Sequence, residues 1–408
     1  MPMLIAIAVR NVLRGWRRSL IVLMTIVVGM SSCILIVAWT RGLGFQMADN
    51  AIRAQLAHLA VHARGYHKNP DLSRGFDDPE PVLRLMAEMG AHASPRLSGE
   101  GLLRTARKSA RAAITGIDPV AEAGVSIIAE SIVEGTFLAA APTAGRSRLR
   151  PVVIGAEMAE NLRLRLGDKV VVQVPGDAGI GAFRVTGIYR TASSTFDKVA
   201  VFARLADVQT LFERPGLLTG VAIALDDPQR ISEVQAALRR ELDESYEVLR
   251  WDERAPMLAM MVDGMNQVSW ILYATVFVAM AFGIANTMLM AVYERMREFG
   301  VMRSLGLQRS RLIAMILIES ALLTVLGTLL GVALGLGATA RLAETGIDLS
   351  RFAGALESYG IGAIVHPRAE ARDAMSPLLL ALLTGLLAAI WPGVKAIRLS
   401  PAEALRRR

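Results

Sequence analysis

Four runs of about 20 apolar residues, at 20–39, 268–292, 312–336 and 377–397, constrain this chain more than any other feature in it. A bilayer's hydrocarbon core is about 30 Å thick and takes roughly 20 such residues per helix. Lipid offers no partner for backbone N–H and C=O groups, so runs of this kind cross as helices. Between the first two runs lie 228 residues, 40–267, without a comparable stretch. That is room for one large water-facing domain or two small ones. Composition fits the division: mean hydropathy is +0.41, yet charged residues make up 20%.

The net charge of +8 could point to nucleic acid, but its distribution points elsewhere. Residues 1–19 carry Arg10, Arg14, Arg17 and Arg18 with no acid. Residues 293–311 carry five arginines against Glu294 and Glu298, and residues 392–408 carry five basic residues against Glu403. The basic excess sits in short segments beside the apolar runs, which is the positive-inside pattern. It places both termini and 293–311 in the cytoplasm, and 40–267 and 337–376 outside. The expected layout is a cytoplasmic amphipathic helix (1–19), a first span (20–39), an α+β periplasmic domain (40–267), a second span (268–292), a cytoplasmic segment (293–311), a third span (312–336), a periplasmic loop (337–376), a fourth span (377–397) and a cytoplasmic tail (398–408). The locale is the inner membrane, with contacts to its lipids and none to nucleic acid.

Cys33 is the single cysteine and lies within the first run, so no intrachain disulfide forms. Met30-Ser31-Ser32-Cys33 loosely resembles a lipoprotein-processing site, but its flanks fit poorly. No small-x-small cleavage site follows the run, which therefore reads as an uncleaved signal anchor.

Within 40–267, β-rich stretches at 58–62, 112–116, 152–155, 169–174, 183–189, 199–202, 221–225 and 246–249 alternate irregularly with helical patterns at 80–89, 156–164, 205–212 and 228–242. The expectation is an α+β fold in two lobes. Residues 175–182 form a hairpin loop, and 252–267 feeds the second span as one helix.

Several chemistries have no foothold. No Gly-x-x-x-x-Gly-Lys-Ser/Thr phosphate loop and no Gly-x-Ser-x-Gly nucleophile elbow occurs. His58 and His62 lie four apart in an expected strand, a weak metal pair beside the simpler reading of a solvated strand face. The expectation is a non-enzyme with no cofactor, metal or catalytic residue of its own.

The segment from Tyr293 to Gly306 is short yet helical in pattern. Val292, Met296, Phe299 and Met302 form an apolar stripe, and Glu294 can pair with Arg297 at i,i+3. Two readings stand: an interfacial helix lying on lipid, or a helix whose exposed residues dock in a groove of a cytoplasmic partner. Gly327, Gly331 and Gly335, each four apart, permit close helix approach, within the chain or at a dimer seam. Glu319 lies two turns inside the third run, where Arg311 or another arginine could pair with it. It serves as a structural anchor or, alternatively, a proton relay.

These residues resemble a known family. Asn286-Thr287-Met288-Leu289-Met290-Ala291-Val292-Tyr293-Glu294-Arg295, Arg297-Glu298-Phe299-Gly300 and Arg303-Ser304-Leu305-Gly306 are similar to the FtsX/MacB/LolC-LolE permeases of ABC transporters. So are Ala8 to Arg14 with Arg17-Arg18-Ser19-Leu20, and Leu399 to Arg406. Gly155-Ala156-Glu157-Met158-Ala159, Leu166-Gly167-Asp168 and Phe183 to Ile188 resemble the family's periplasmic core domain. The resemblance implies a permease dimer, of two copies or a copy and a paralogue, carrying two LolD-like cytoplasmic ATPase subunits that hold ATP and Mg²⁺. It implies mechanotransmission, in which ATPase motion passes through long helices to periplasmic domains acting on a substrate already outside. It also implies an ATPase-coupling helix here, with Glu294, Arg295, Arg297, Glu298, Phe299, Val301, Met302 and Arg303 as its residues.

The stretches His58 to Tyr66, Ser94 to Gly99 and Gly346 to Ser350 look most like the lipoprotein-releasing members, which implies lipoproteins as cargo and a periplasmic carrier as a partner. The hairpin at 175–182 is short beside the carrier-seizing hook of LolC-type members. MacB-like export with an adaptor, FtsX-like control of cell-wall hydrolases, and a membrane scaffold or receptor remain the alternatives.

Overall fold

The structure is a computed structural model and describes residues 2–139, 149–175, 179–369 and 375–398. It divides into two compact units, one of residues 1–44, 263–347 and 365–408, the other of 45–262 and 348–364.

The first unit is helical. Helix α1 (Pro2–Arg14) breaks at Gly15 and is followed by α2 (Trp16–Ala51). The chain returns in the helices Pro256–Glu294, Met296–Ser304, Arg309–Thr345 and Met375–Arg398. Among the described residues four helices are long and apolar enough to cross a membrane: Trp16–Leu56, Pro256–Glu294, Arg309–Thr345 and Met375–Lys395. They outrun the apolar stretches of the sequence, since flanking polar residues continue the same helical hydrogen bonding. Their shared core holds Ile26, Met30, Phe277, Met280, Ile284, Leu312, Met315 and Leu323.

Small residues set the spacing of two of these helices. A Cβ on Gly327, Gly331 or Gly335 would come within 2.8 Å of Ile26, 2.6 Å of Met30 or 3.0 Å of Ile34. Ser31 Oγ donates to the Gly331 carbonyl at 3.0 Å. The three glycines thus face α2 of their own chain, where backbones approach closely because no side chain intervenes.

The second unit is α+β. Its strands are β1 (Leu59–Ala63), β2 (His92–Arg104), β3 (Ser109–Ile117), β4 (Ile132–Gly135), β5 (Arg150–Gly155), β6 (Lys169–Gln173), β7 (Ile180–Tyr189), β8 (Ala200–Arg204), β9 (Gly220–Ala224) and β10 (Tyr246–Arg250). They join in the order β10-β1-β9-β2-β3-β8-β5-β7-β4, with β6 bridging β2 and β7. The ring β2-β3-β8-β5-β7-β6 therefore closes on itself, around Leu97, Ile114, Val152, Val172, Phe183 and Val201.

The other lobe, β10-β1-β9-β2, is antiparallel. Its chain order is strand, helix, strand, then strand, helix, strand, the split βαβ arrangement. The helices Glu80–Glu88 and Ile231–Glu241 cover one sheet face through Val82, Met86, Val234 and Leu238. Strand β2 belongs to both lobes, pairing with β9 at its start and with β3 and β6 at its end.

Two expectations change here. Strands β2 and β4 add to those expected from the sequence pattern. Residues 348–364, expected within a separate loop, pack in the α+β unit: Asn50 Nδ2 donates to the Gly360 carbonyl at 2.8 Å, and Thr195 Oγ1 to the Ser358 carbonyl at 3.3 Å. The hairpin tip at 176–178 and the motif at 399–406 lie outside the described residues.

Candidate functional site

The segment 293–308 folds as a short helix between two reversals. The 39-residue helix ends at Glu294, and Arg295 takes φ −102° and ψ 12°, outside the helical run. Helix Met296–Ser304 follows. Gly306 ends the segment at φ +90°, a left-handed conformation that glycine adopts without steric cost.

The apolar stripe turns inward. Phe299 is 4% exposed and packs with Met315, Ile316 and Val292, with Met302 beside them. The outward face consists of Arg297, Glu298, Val301 and Leu305, with Leu305 83% exposed. Phe299 and Met302 therefore belong to the bundle, and a partner would meet the opposite face. Leu305 lies outside the set of residues that the family likeness implies. Its spacing of four from Val301 carries the signal, but the adjoining Gly306 obscures it.

Ion pairs brace this helix, one of them buried (Arg295 with Glu319) and the others partly exposed. Arg295 Nη1 lies 3.2 Å from Glu319 Oε2, and its Nε lies 3.2 Å from Glu298 Oε2. The guanidinium also sits 5.3 Å from the Phe299 ring centroid. Arg14 Nη1 is 3.6 Å from Glu298 Oε1. Glu294 pairs with Arg18 and not with Arg297. The acid inside the third apolar run thus takes Arg295 as its partner, not Arg311. Together the pairs tie residues 294–298 to α1, α2 and Arg309–Thr345. A buried pair of this kind fixes geometry more than it adds stability. A load on the outward face meets a braced element. Arg303 is half-buried at the end of the same helix.

His58 and His62 are engaged separately. The Leu225 N–H donates to His58 Nδ1 at 3.1 Å, whereas His62 Nδ1 lies 2.7 Å from the Thr219 carbonyl. His62 is buried, so the expected solvated strand face does not hold for it.

Residues 19–241 match the model of the MacB-like periplasmic core domain, and residues 270–401 match that of the FtsX-like permease C-terminal region. A relative from Xylella fastidiosa strain Temecula1, named lipoprotein-releasing system transmembrane protein LolC, is 25% identical over 99% of both chains. The macrolide export ATP-binding/permease protein MacB of Hyphomonas neptunium is 28% identical, over 63% of this chain and 38% of its own. The extracellular domain of the noncanonic ABC-type transporter YknZ from Gram-positive bacteria is 16% identical and has a TM-score of 0.34, over 47% of this chain and 99% of that one.

Proposed function

The chain belongs to the family of ABC transporter permeases with a MacB-like periplasmic core domain and an FtsX-like C-terminal region, and from that membership we propose that it transmits the motion of a separate cytoplasmic ATPase to its α+β domain in order to release lipoproteins from the inner membrane. In this reading the α+β domain, inserted between the first and second spans, is periplasmic, and both termini are cytoplasmic. The arginine clusters beside the apolar runs support that orientation. A second permease copy or paralogue completes the membrane assembly, and ATP and Mg²⁺ reside on the ATPase.

The observation that carries the proposal is the outward face of helix Met296–Ser304, apolar at Val301 and Leu305 and braced behind by Arg295 and Glu319. A helix presenting apolar residues at such spacing fits a groove on a partner. Lipoprotein cargo is supported by the full-length likeness to a lipoprotein-releasing relative. Depleting the chain should leave lipoproteins in the inner membrane upon fractionation. Normal lipoprotein sorting, with sensitivity to exported small molecules instead, would favour MacB-like export, to which the Hyphomonas relative points.

A further inference from the structure

The α+β unit contains a cavity of about 390 Å³ on the sheet face opposite its two covering helices. Small residues make its floor: Ala60 on β1, Gly220 and Ala222 on β9, and Ala113 on β3. Phe196 and Phe202 form an apolar wall. Its volume falls within the range of small-molecule sites, roughly 300–1,000 Å³.

Charge in the cavity is unbalanced. Among the described residues no aspartate or glutamate lines it. Arg96 is compensated from outside the lining, since Nη2 lies 2.6 Å and Nε 3.1 Å from the Glu122 carboxylate. Arg254 has no such partner among the described residues; one N–H donates to the Leu56 carbonyl. A guanidinium carries five N–H donors, so most of its donors are left for a ligand. Burial and the nearby Arg96 push Arg254 down to about 10, so it stays charged at neutral pH. His62, stacked on Tyr66 with ring centroids 5.2 Å apart, is pushed down to about 4 by burial and is neutral there. A desolvated cation without a counter-charge is costly, and an anion entering the cavity would relieve that cost.

We propose that this cavity binds an anionic amphiphile, its acidic head on Arg254 and its apolar body along Phe196, Phe202 and the alanine floor. Carboxylate and phosphate heads share the required chemistry. The site stands on the α+β unit alone and does not depend on the lipoprotein reading.

The test is calorimetric titration of the full chain in nanodiscs with octyl phosphate, octanoate, octanol and inorganic phosphate, with empty nanodiscs subtracted. Saturable binding of octyl phosphate or octanoate is expected, at least tenfold weaker in Arg254→Gln. Ala113→Leu, which fills the exposed floor without changing charge, should weaken it similarly and guards against misfolding of the arginine variant. A preference for octyl phosphate traces the ligand to a phospholipid head, and one for octanoate to a fatty acid. Heat no greater than in empty nanodiscs, equal binding by both variants and the parent chain, or octanol or inorganic phosphate binding as tightly as the amphiphilic anions would overturn the proposal.

Discussion

The pair Arg295–Glu319 concentrates the cost and the purpose of the candidate site in two residues. Removing one partner of a buried pair leaves the other uncompensated and typically costs about 3–5 kcal/mol. Glu319→Ala should therefore lower the unfolding temperature markedly, while the double variant Arg295→Gln/Glu319→Gln should recover part of the loss. An undiminished melting temperature in Glu319→Ala would show that the pair does not brace the helix.

Two other groups, in the α+β unit, make opposing contributions to pH dependence. His62 is held at about 4 against an ordinary 6.5. Its contribution is present above 6.5 and lost as pH falls through 4. Asp197, raised by burial to about 6 from 3.8 despite its hydrogen bonds from Thr191, contributes stability below 3.8 that is lost as pH rises through 6. Between pH 4 and 6 the two slopes oppose each other. Across that window the slope of stability against pH should turn more positive in Asp197→Asn and more negative in His62→Gln. Parallel slopes in thermal unfolding of the two variants would contradict these assignments.

At the scale of elements, the glycine spacing on Arg309–Thr345 governs how α2 packs. Gly331→Leu places a side chain where Met30 already stands, and overpacking of this kind costs about 1–3 kcal/mol. Reduced thermal stability is expected, whereas Gly337→Leu, with open space at its Cβ, should be nearly neutral. Equal effects of the two would sink this reading.

Elements are legible where pattern and burial agree. Strands such as β1, β5 and β8 carry continuous β-branched or apolar runs. β2 is hidden because Pro95, Gly99 and Gly101 interrupt its pattern. Pro95 is tolerated because that stretch pairs with β9 on one side, and β3 joins only from Arg96. Gly99 and Gly101 lie where Phe212 and Ile114 approach too closely for a Cβ. The helix Met296–Ser304 is legible as a helix, but periodicity does not say which face turns inward. Packing of Phe299 against Met315 decides that, and it depends on residues separated in sequence.

For the whole molecule, the proposed transmission would depend on helix length. The helix Pro256–Glu294 has 39 residues, about 58 Å at ~1.5 Å per residue, well beyond a hydrocarbon core of about 30 Å. One continuous hydrogen-bonded rod can then carry displacement past the bilayer. Transmission requires that a cognate ABC ATPase grip the outward face of Met296–Ser304. Site-specific crosslinking reads that contact, using single cysteines introduced as Val301→Cys, Leu305→Cys and Phe299→Cys in a Cys33→Ser background with the ATPase co-expressed. Crosslinks from positions 301 and 305, and none from 299, are expected. A crosslink from 299 alone, or none from 301 and 305 in an assembled complex, would show that the ATPase does not grip this face.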